Sequence, residues 1–152
     1  MLIELLNGNE RIQFENNVLS WEQAIIKGAT PLHSEGIIEE RYIEQMIANV
    51  KEIGPYIVIA PKIALAHARP EDGVNKLGIT FLISEKPVLF SCQPEHAASL
   101  VITLAAPDSN SHLSLLSDLA LVFAENNSIE GILKLKTEAE VLAFLQHCIG
   151  GE

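Results

Sequence analysis

Two nearly continuous apolar segments, Leu77-Gly-Ile-Thr-Phe-Leu-Ile-Ser84 and Ser99-Leu-Val-Ile-Thr-Leu-Ala-Ala106, constrain this chain more than any other feature. Both are rich in β-branched residues and too short to be read as helices, and neither alternates cleanly between apolar and polar positions. A strand with one face in water alternates; a strand covered on both faces does not have to. Both segments are therefore expected to be central strands of a sheet with packing on each side. The shorter runs Ile57-Val-Ile-Ala60 and Ile63-Ala-Leu-Ala66, bounded by prolines, read as further buried strand pieces. Lys86-Pro-Val-Leu-Phe90 reads as an edge strand, because proline cannot donate to a ladder. A short strand-like piece lies around Arg11 to Phe14.

Helices are expected to cover this sheet. Ser20 caps the first, with Gln23 at the capping-box position and Trp21, Ala24, Ile25 and Leu32 on one face; Gly36 ends it. Tyr42, Ile43, Met46, Ile47, Val50 and Ile53 recur at helical spacing from about Glu39 until Gly54-Pro55. After the second long strand come helices over about 111–125 and 129–135. A last helix carries Thr137 and Glu140 as capping box, with Val141, Leu142, Leu145 and Ile149 facing inward. Helices before and after a hydrophobic sheet imply a three-layer α/β sandwich. No repeat, low-complexity tract or linker interrupts it, so residues 1–152 are expected to form a single domain with room for a substantial core.

Charge narrows the range of partners. Ten Lys+Arg against twenty Asp+Glu leave a formal charge of −10, which opposes binding to nucleic acid or anionic lipid. The N-terminal stretch lacks the basic region and apolar length of a signal peptide. No apolar run approaches the roughly 18–20 residues of a membrane span. Only Cys92 and Cys148 occur, without CxxC or paired metal spacing, as expected of a reduced, cytoplasmic protein. Neither a cofactor nor a metal is expected.

The residue richest in chemistry is His67, at the end of the strand run leading to His67-Ala-Arg-Pro-Glu-Asp-Gly73. Imidazole exchanges its proton near neutral pH and can act as nucleophile, base or ligand. Pro61 and Pro70 restrict the backbone on either side, and Gly73 permits a tight turn. Arg69 offers a planar, permanently charged fork suited to phosphate or carboxylate; a salt bridge to Glu71 or Asp72 is the competing reading. His112 follows the Asp/Ser/Asn cluster of Pro107-Asp-Ser-Asn-Ser-His112, a helix-cap signal. In a first turn the macrodipole disfavours imidazolium, and free N–H groups can accept an anion; an exposed histidine with no task is the alternative. If the strands preceding His67 and His112 are neighbours, both histidines emerge at one sheet edge, where ligand sites of open α/β sheets concentrate. His33, His96 and His147 stand apart from companions at ligand spacing, and Cys92 has no neighbour that would activate it.

These residues place the chain near a known family. Over nearly its whole length it resembles the enzyme IIA domains of the bacterial phosphoenolpyruvate-dependent sugar phosphotransferase system, of the mannitol/fructose class and closest to the ascorbate-type branch. The specific stretches are Gly54-Pro-Tyr-Ile-Val-Ile-Ala-Pro61, His67-Ala-Arg-Pro-Glu-Asp-Gly-Val74 and Asn110-Ser-His-Leu-Ser-Leu-Leu116. The resemblance implies a mixed β-sheet flanked by helices on both faces, with phosphorylation of His67 and assistance from His112. Two positions depart from the wider class. Ala66-His67-Ala68 replaces its usual Pro-His-Gly, and Asn49 stands where mannitol-type members carry a helix arginine, which makes Arg69 the candidate cation for the phosphate and points away from mannitol.

The activity so implied is a phosphoryl relay. The phosphocarrier protein HPr would donate to His67, and His67 would pass the group to a cysteine of a IIB component serving a membrane IIC transporter for ascorbate or a related sugar. Arg69, His112 and the helix-start N–H groups would stabilise the group in transit. Ile63, Leu65 and Leu113 are expected on the docking face, and the resemblance is compatible with a homo-oligomer. Two other readings stay open: a regulatory module phosphorylated for signalling that feeds no transporter, and an interaction protein without phosphoryl chemistry.

Overall fold

The computed structural model describes residues 1–150. Its centre is a five-stranded sheet of β1 (Ile12–Glu15), β2 (Val58–Ala60), β3 (Lys62–Ala66), β4 (Gly78–Leu89) and β5 (Ala97–Ala105), in the spatial order β1-β4-β5-β3-β2. β1 runs parallel to β4 and β3 parallel to β5, whereas the β4–β5 and β2–β3 pairs are antiparallel, so the sheet is mixed. β4 and β5 lie inside the sheet, as their near-continuous apolar composition requires. Ile79, Phe81, Leu82, Leu100, Val101 and Ile102 are all fully buried.

Side chains alternate between the two faces of the sheet. Ala64 and Ala66 of β3 join Leu82 and Val101 beneath α2 (Trp21–Ser34) and α3 (Glu40–Ile53), packing with Ile25, Tyr42 and Met46. Ile63 and Leu65 point to the opposite layer, where they meet α1 (Leu2–Leu6), α4 (Ser109–Ala124), α5 (Ser128–Leu133) and α6 (Glu138–Gly150) through residues such as Leu6, Leu115, Ile132 and Leu145. The α2 face is lined by small residues, which lets that helix lie close. A Cβ at Gly28 would sit 2.7 Å from Thr103 Oγ1, and the Gly28 carbonyl accepts the Thr80 hydroxyl at 2.7 Å.

Both expected capping boxes are present. The Ser20 hydroxyl accepts from Gln23 N–H while the Gln23 side chain accepts from Ser20 N–H, and Thr137 and Glu140 are paired in the same way.

Local features differ from those expected: the 57–60 run, read as a buried strand piece, forms the partly exposed edge strand β2, with Ile59 52% exposed. The N-terminus forms α1, a helix too short to show periodicity, anchored by the complete burial of Leu2 and Leu6. The 86–90 segment is no separate edge strand: β4 runs through it, and Val88 and Leu89 pair with Ala98 and Ala97 after a register shift. β1 pairs with β4 only as far as Ser84, however, so the stretch holding Pro87 borders the sheet margin locally. Finally, α4 starts at Ser109 rather than near Ser111, because Asp108 is its N-cap and accepts from Ser111 N–H at 2.8 Å.

Candidate functional site

β3 and β4 flank β5, so the chain leaving β3 at Ala66 must cross the end of β5 before entering β4 at Gly78. His67 begins that crossing. Because β3 and β5 are parallel, the loop from β5 into α4 opens at the same sheet edge, and this juxtaposition makes a site.

The crossing segment is fastened to α3. Tyr42 Oη accepts from Ala68 N–H at 2.9 Å, Arg41 donates to the Glu71 carbonyl at 2.8 Å, and Glu39 N–H donates to the Gly73 carbonyl at 2.9 Å. Pro70–Asp72 form one turn of 3-10 helix, and Gly73 closes it at a φ of 134°. A Cβ there would meet Tyr42 and Arg41 at 3.2 and 3.3 Å, so glycine serves both the backbone angle and the close approach.

The imidazole of His67 is half-buried, and its Nδ1 lies 2.8 Å from the carbonyl of Leu65. A carbonyl can only accept, so Nδ1 carries a proton. In the neutral ring the lone pair is then on Nε2, the nitrogen suited to act as nucleophile. The Tyr56 ring stands edge-on to the imidazole, with centroids 5.8 Å apart and planes at 79°. Ring orientation is thus set by two contacts without closing off Nε2.

The segment 67–69 forms a ridge between two clefts. One, of about 370 Å³, is lined by Tyr42, His67, Arg69, Asp108, Ser109 and His112. The other, of about 420 Å³, is lined by Gln45, Asn49, Ile53, Tyr56, Asp72 and the same ridge. The structure therefore brings His67, Arg69 and His112 together, and it places Asn49 on the second cleft, where Gln45 Nε2 donates to Asn49 Oδ1 at 2.7 Å. With its oxygen engaged, Asn49 keeps its amide hydrogens for another acceptor.

Among the described residues the two clefts are lined by one permanent cation, Arg69, and two carboxylates, Asp108 and Asp72. The Arg69 guanidinium is exposed and takes part in none of the ion pairs among the described residues. The competing reading, a salt bridge to Glu71 or Asp72, is not observed; the Arg69 backbone N–H instead donates to Asp72 Oδ2 at 3.0 Å. Asp108 is held below the usual carboxylate range by the Ser111 N–H it accepts. Its charge counters Arg69, and its cap consumes one of the helix-start donors expected to serve an anion. Burial pushes the Tyr42 phenol up to about 12, so it stays protonated at neutral pH.

Other expectations resolve by burial. Ile63 and Leu65 are only 4% and 5% exposed, because both point into the layer beneath α4. They are core residues, not docking residues. Leu113 at 61% exposed remains, joined by Ile53 at 69% and by Tyr56, neither of which periodicity marked as surface. His96 lies at the far end of the sheet, its Nδ1 2.7 Å from Ser91 Oγ. His33 falls in the last turn of α2 and His147 in the last turn of α6.

Tyr42, Gln45, Tyr56 and Asp108 also line the two clefts, and sequence pattern does not single them out as site residues. Tyr42 sat in the apolar stripe of α3, where a hydroxyl among aliphatic residues is a signal that a buried polar tip needs partners.

Comparison with known proteins shows the family. The profile of a family described as "Phosphoenolpyruvate-dependent sugar phosphotransferase system, EIIA 2" matches residues 5–148. The ascorbate-specific PTS system EIIA component of Escherichia coli (strain K12) is 31% identical over 145 residues, covering 95% of this chain and 94% of that protein. The solution structure of the mannitol-specific cryptic phosphotransferase enzyme IIA CmtB from Escherichia coli superposes with a TM-score of 0.86 at 27% identity, covering 97% of this chain and 99% of that one. The complex of enzyme IIA-mannitol with phosphorylated enzyme IIB-mannitol from Escherichia coli matches with a TM-score of 0.73 at 26% identity, over 95% and 97% of the two chains.

Proposed function

Because this chain belongs to the phosphoenolpyruvate-dependent sugar phosphotransferase system EIIA 2 family, we propose that it is a phosphoryl relay with His67 as the acceptor. It takes phosphate from HPr and passes it to a cysteine of a IIB component, for uptake of ascorbate or a related sugar. The observation that carries this reading is the Nδ1–H bond of His67 to Leu65, which leaves Nε2 as the nucleophile on a ridge open to a partner.

In the forward step the Nε2 lone pair of His67 forms the new N–P bond as the donor N–P bond breaks. The breaking bond's electron pair returns to the donor nitrogen, and Nδ1–H stays on the Leu65 carbonyl. Phosphoryl transfer passes through a loose transition state, so in-line positioning and charge stabilisation do most of the work. Arg69 supplies the permanent cation, and His112 and Asn49 supply hydrogen-bond donors from the two clefts. Asp108 and Asp72 temper that attraction, as suits a group that must leave again. In the second step a IIB thiolate attacks phosphorus and the N–P bond returns its electrons to Nε2.

Ile53 and Tyr56 form an apolar rim on the second cleft, and exposed Leu113 adjoins His112 of the first, surface available to two partners in turn. The family name of the ascorbate-specific relatives supports the choice of sugar, and the IIA–IIB complex supports IIB as the receiving partner. Incubation with phosphoenolpyruvate, enzyme I and HPr should give an acid-labile, base-stable phosphate, and His67→Ala should abolish it. Equal labelling of that variant would end the assignment.

A further inference from the structure

The parallel ladder between β3 and β5 stops at the pair Ala66 and Thr103. Beyond it the two strand ends diverge, one into His67 and Ala68 and the other through Leu104 toward Asp108 and α4, and the cleft between His67 and His112 opens in the gap. One side chain spans the divergence. Tyr42, 1% exposed, donates its hydroxyl proton to the Leu104 carbonyl at 2.7 Å while accepting from Ala68 N–H at 2.9 Å. The phenol therefore replaces the next rung of the ladder with a link of fixed length carried on α3.

We propose that Tyr42 is a positioning residue for phosphoryl transfer, setting the separation of the His67 segment from the strand end that leads to His112. This rests on the relay reading above and adds the element that fixes its geometry. The phenol is rigid, and its ring is buried in the core beneath α2 and α3. Both groups it bridges are backbone, so its influence reaches the reacting ring through the peptide adjoining His67. Without the hydroxyl, Ala68 N–H and Leu104 C=O lose their partner at a partly buried site, and the two strand ends are free to change spacing. Misplacement of reacting groups on the ångström scale costs transfer rates on the order of 10–100-fold.

The test is Tyr42→Phe in the full chain, with Met46→Leu as a volume-conserving control in the same helix and core. Two readouts are taken: amide hydrogen exchange at Ala68, and steady-state phosphoryl transfer from phosphorylated HPr. The expected result for Tyr42→Phe is exchange at Ala68 at least tenfold faster and kcat about 10–100-fold lower, with KM for HPr unchanged because the docking rims are intact. Met46→Leu should leave both readouts as in the wild type. Wild-type kcat in Tyr42→Phe with Ala68 deprotected would overturn the proposal, as would an equal kcat loss in Met46→Leu. If the wild-type protein accepts no phosphate on His67, it is the relay reading that fails. The bridge is then judged by exchange alone, and unchanged protection of Ala68 in Tyr42→Phe removes it.

Discussion

Nδ1 of His67 donates to the carbonyl of Leu65 at 2.8 Å, a bond between two residues of one strand end that decides which ring nitrogen is free. Phosphate on this protein should consequently be found on Nε2. Heteronuclear NMR of the phosphorylated protein, coupling phosphorus to the ring nitrogens, distinguishes the two isomers; attachment at Nδ1 would show that the bond to Leu65 is broken before transfer.

Among the described residues, Arg69 is the one permanent cation lining both clefts at His67. Arg69→Gln should slow phosphoryl transfer by about 10²-fold, comparable to loss of a single transition-state donor. Its side chain is exposed and outside every ion pair described, so stability should change by less than about 0.5 kcal/mol. Asn49→Asp, which places a carboxylate on the second cleft, should also slow transfer. Stopped-flow or quench measurements set against denaturation midpoints separate the two effects, and unchanged rates in both variants would remove the electrostatic account.

The α4 cap has a defined acid response. The folded-state pKa of Asp108 is depressed below its ordinary value of 3.8 by the Ser111 N–H bond. A depressed group contributes its stability above the unfolded pKa and loses it as pH falls through the lower folded value. The Ser111 amide resonance should therefore hold steady from neutrality to about pH 4 and shift only below that. Asp108→Asn keeps an N-cap of similar strength but removes the titrating group, so its Ser111 resonance should lack the acid shift. A transition near neutral pH would contradict this cap.

Gly28→Ala tests how closely α2 lies on the sheet. In an exposed helix interior this change gains about 1 kcal/mol. Here the added Cβ meets Thr103 Oγ1 at 2.7 Å, and overpacking of this kind costs about 1–3 kcal/mol. Urea denaturation should show net destabilisation, relieved when Thr103→Ala is added, since the Thr103 hydroxyl is buried without a partner among the described residues. A stabilised Gly28→Ala variant would mean that the helix has room to move outward.

Much of the fold was legible because its signals are local. The strands β4 and β5 announce themselves by apolar runs, and the boundaries of α2 and α3 by Ser20, Gly36 and Gly54. α1 was silent because five residues cannot display a period. The 86–90 segment looks like a separate strand in the sequence because proline reports a missing donor, and the same absence suits an irregular stretch of a continuing strand. Ile63 and Leu65 are buried and not on the docking face, because apolar character near a reactive residue does not say which way a side chain points.

By itself the sequence determined the helix–sheet–helix layering, the limits of α2 and α3 to within a residue or two and the chemistry available at His67, Arg69 and His112. Those follow from side-chain type, spacing and capping, which act over a few residues. Only the tertiary structure decided that β3 and β5 are parallel neighbours, that Leu65 fixes the reactive nitrogen of His67, and that Tyr42 and Asp108 belong to the site. The residues that meet there come from α3, the end of β3 and the start of α4, far apart along the chain. Their encounter is set by sheet order and by the burial of both faces, long-range outcomes that no local pattern encodes.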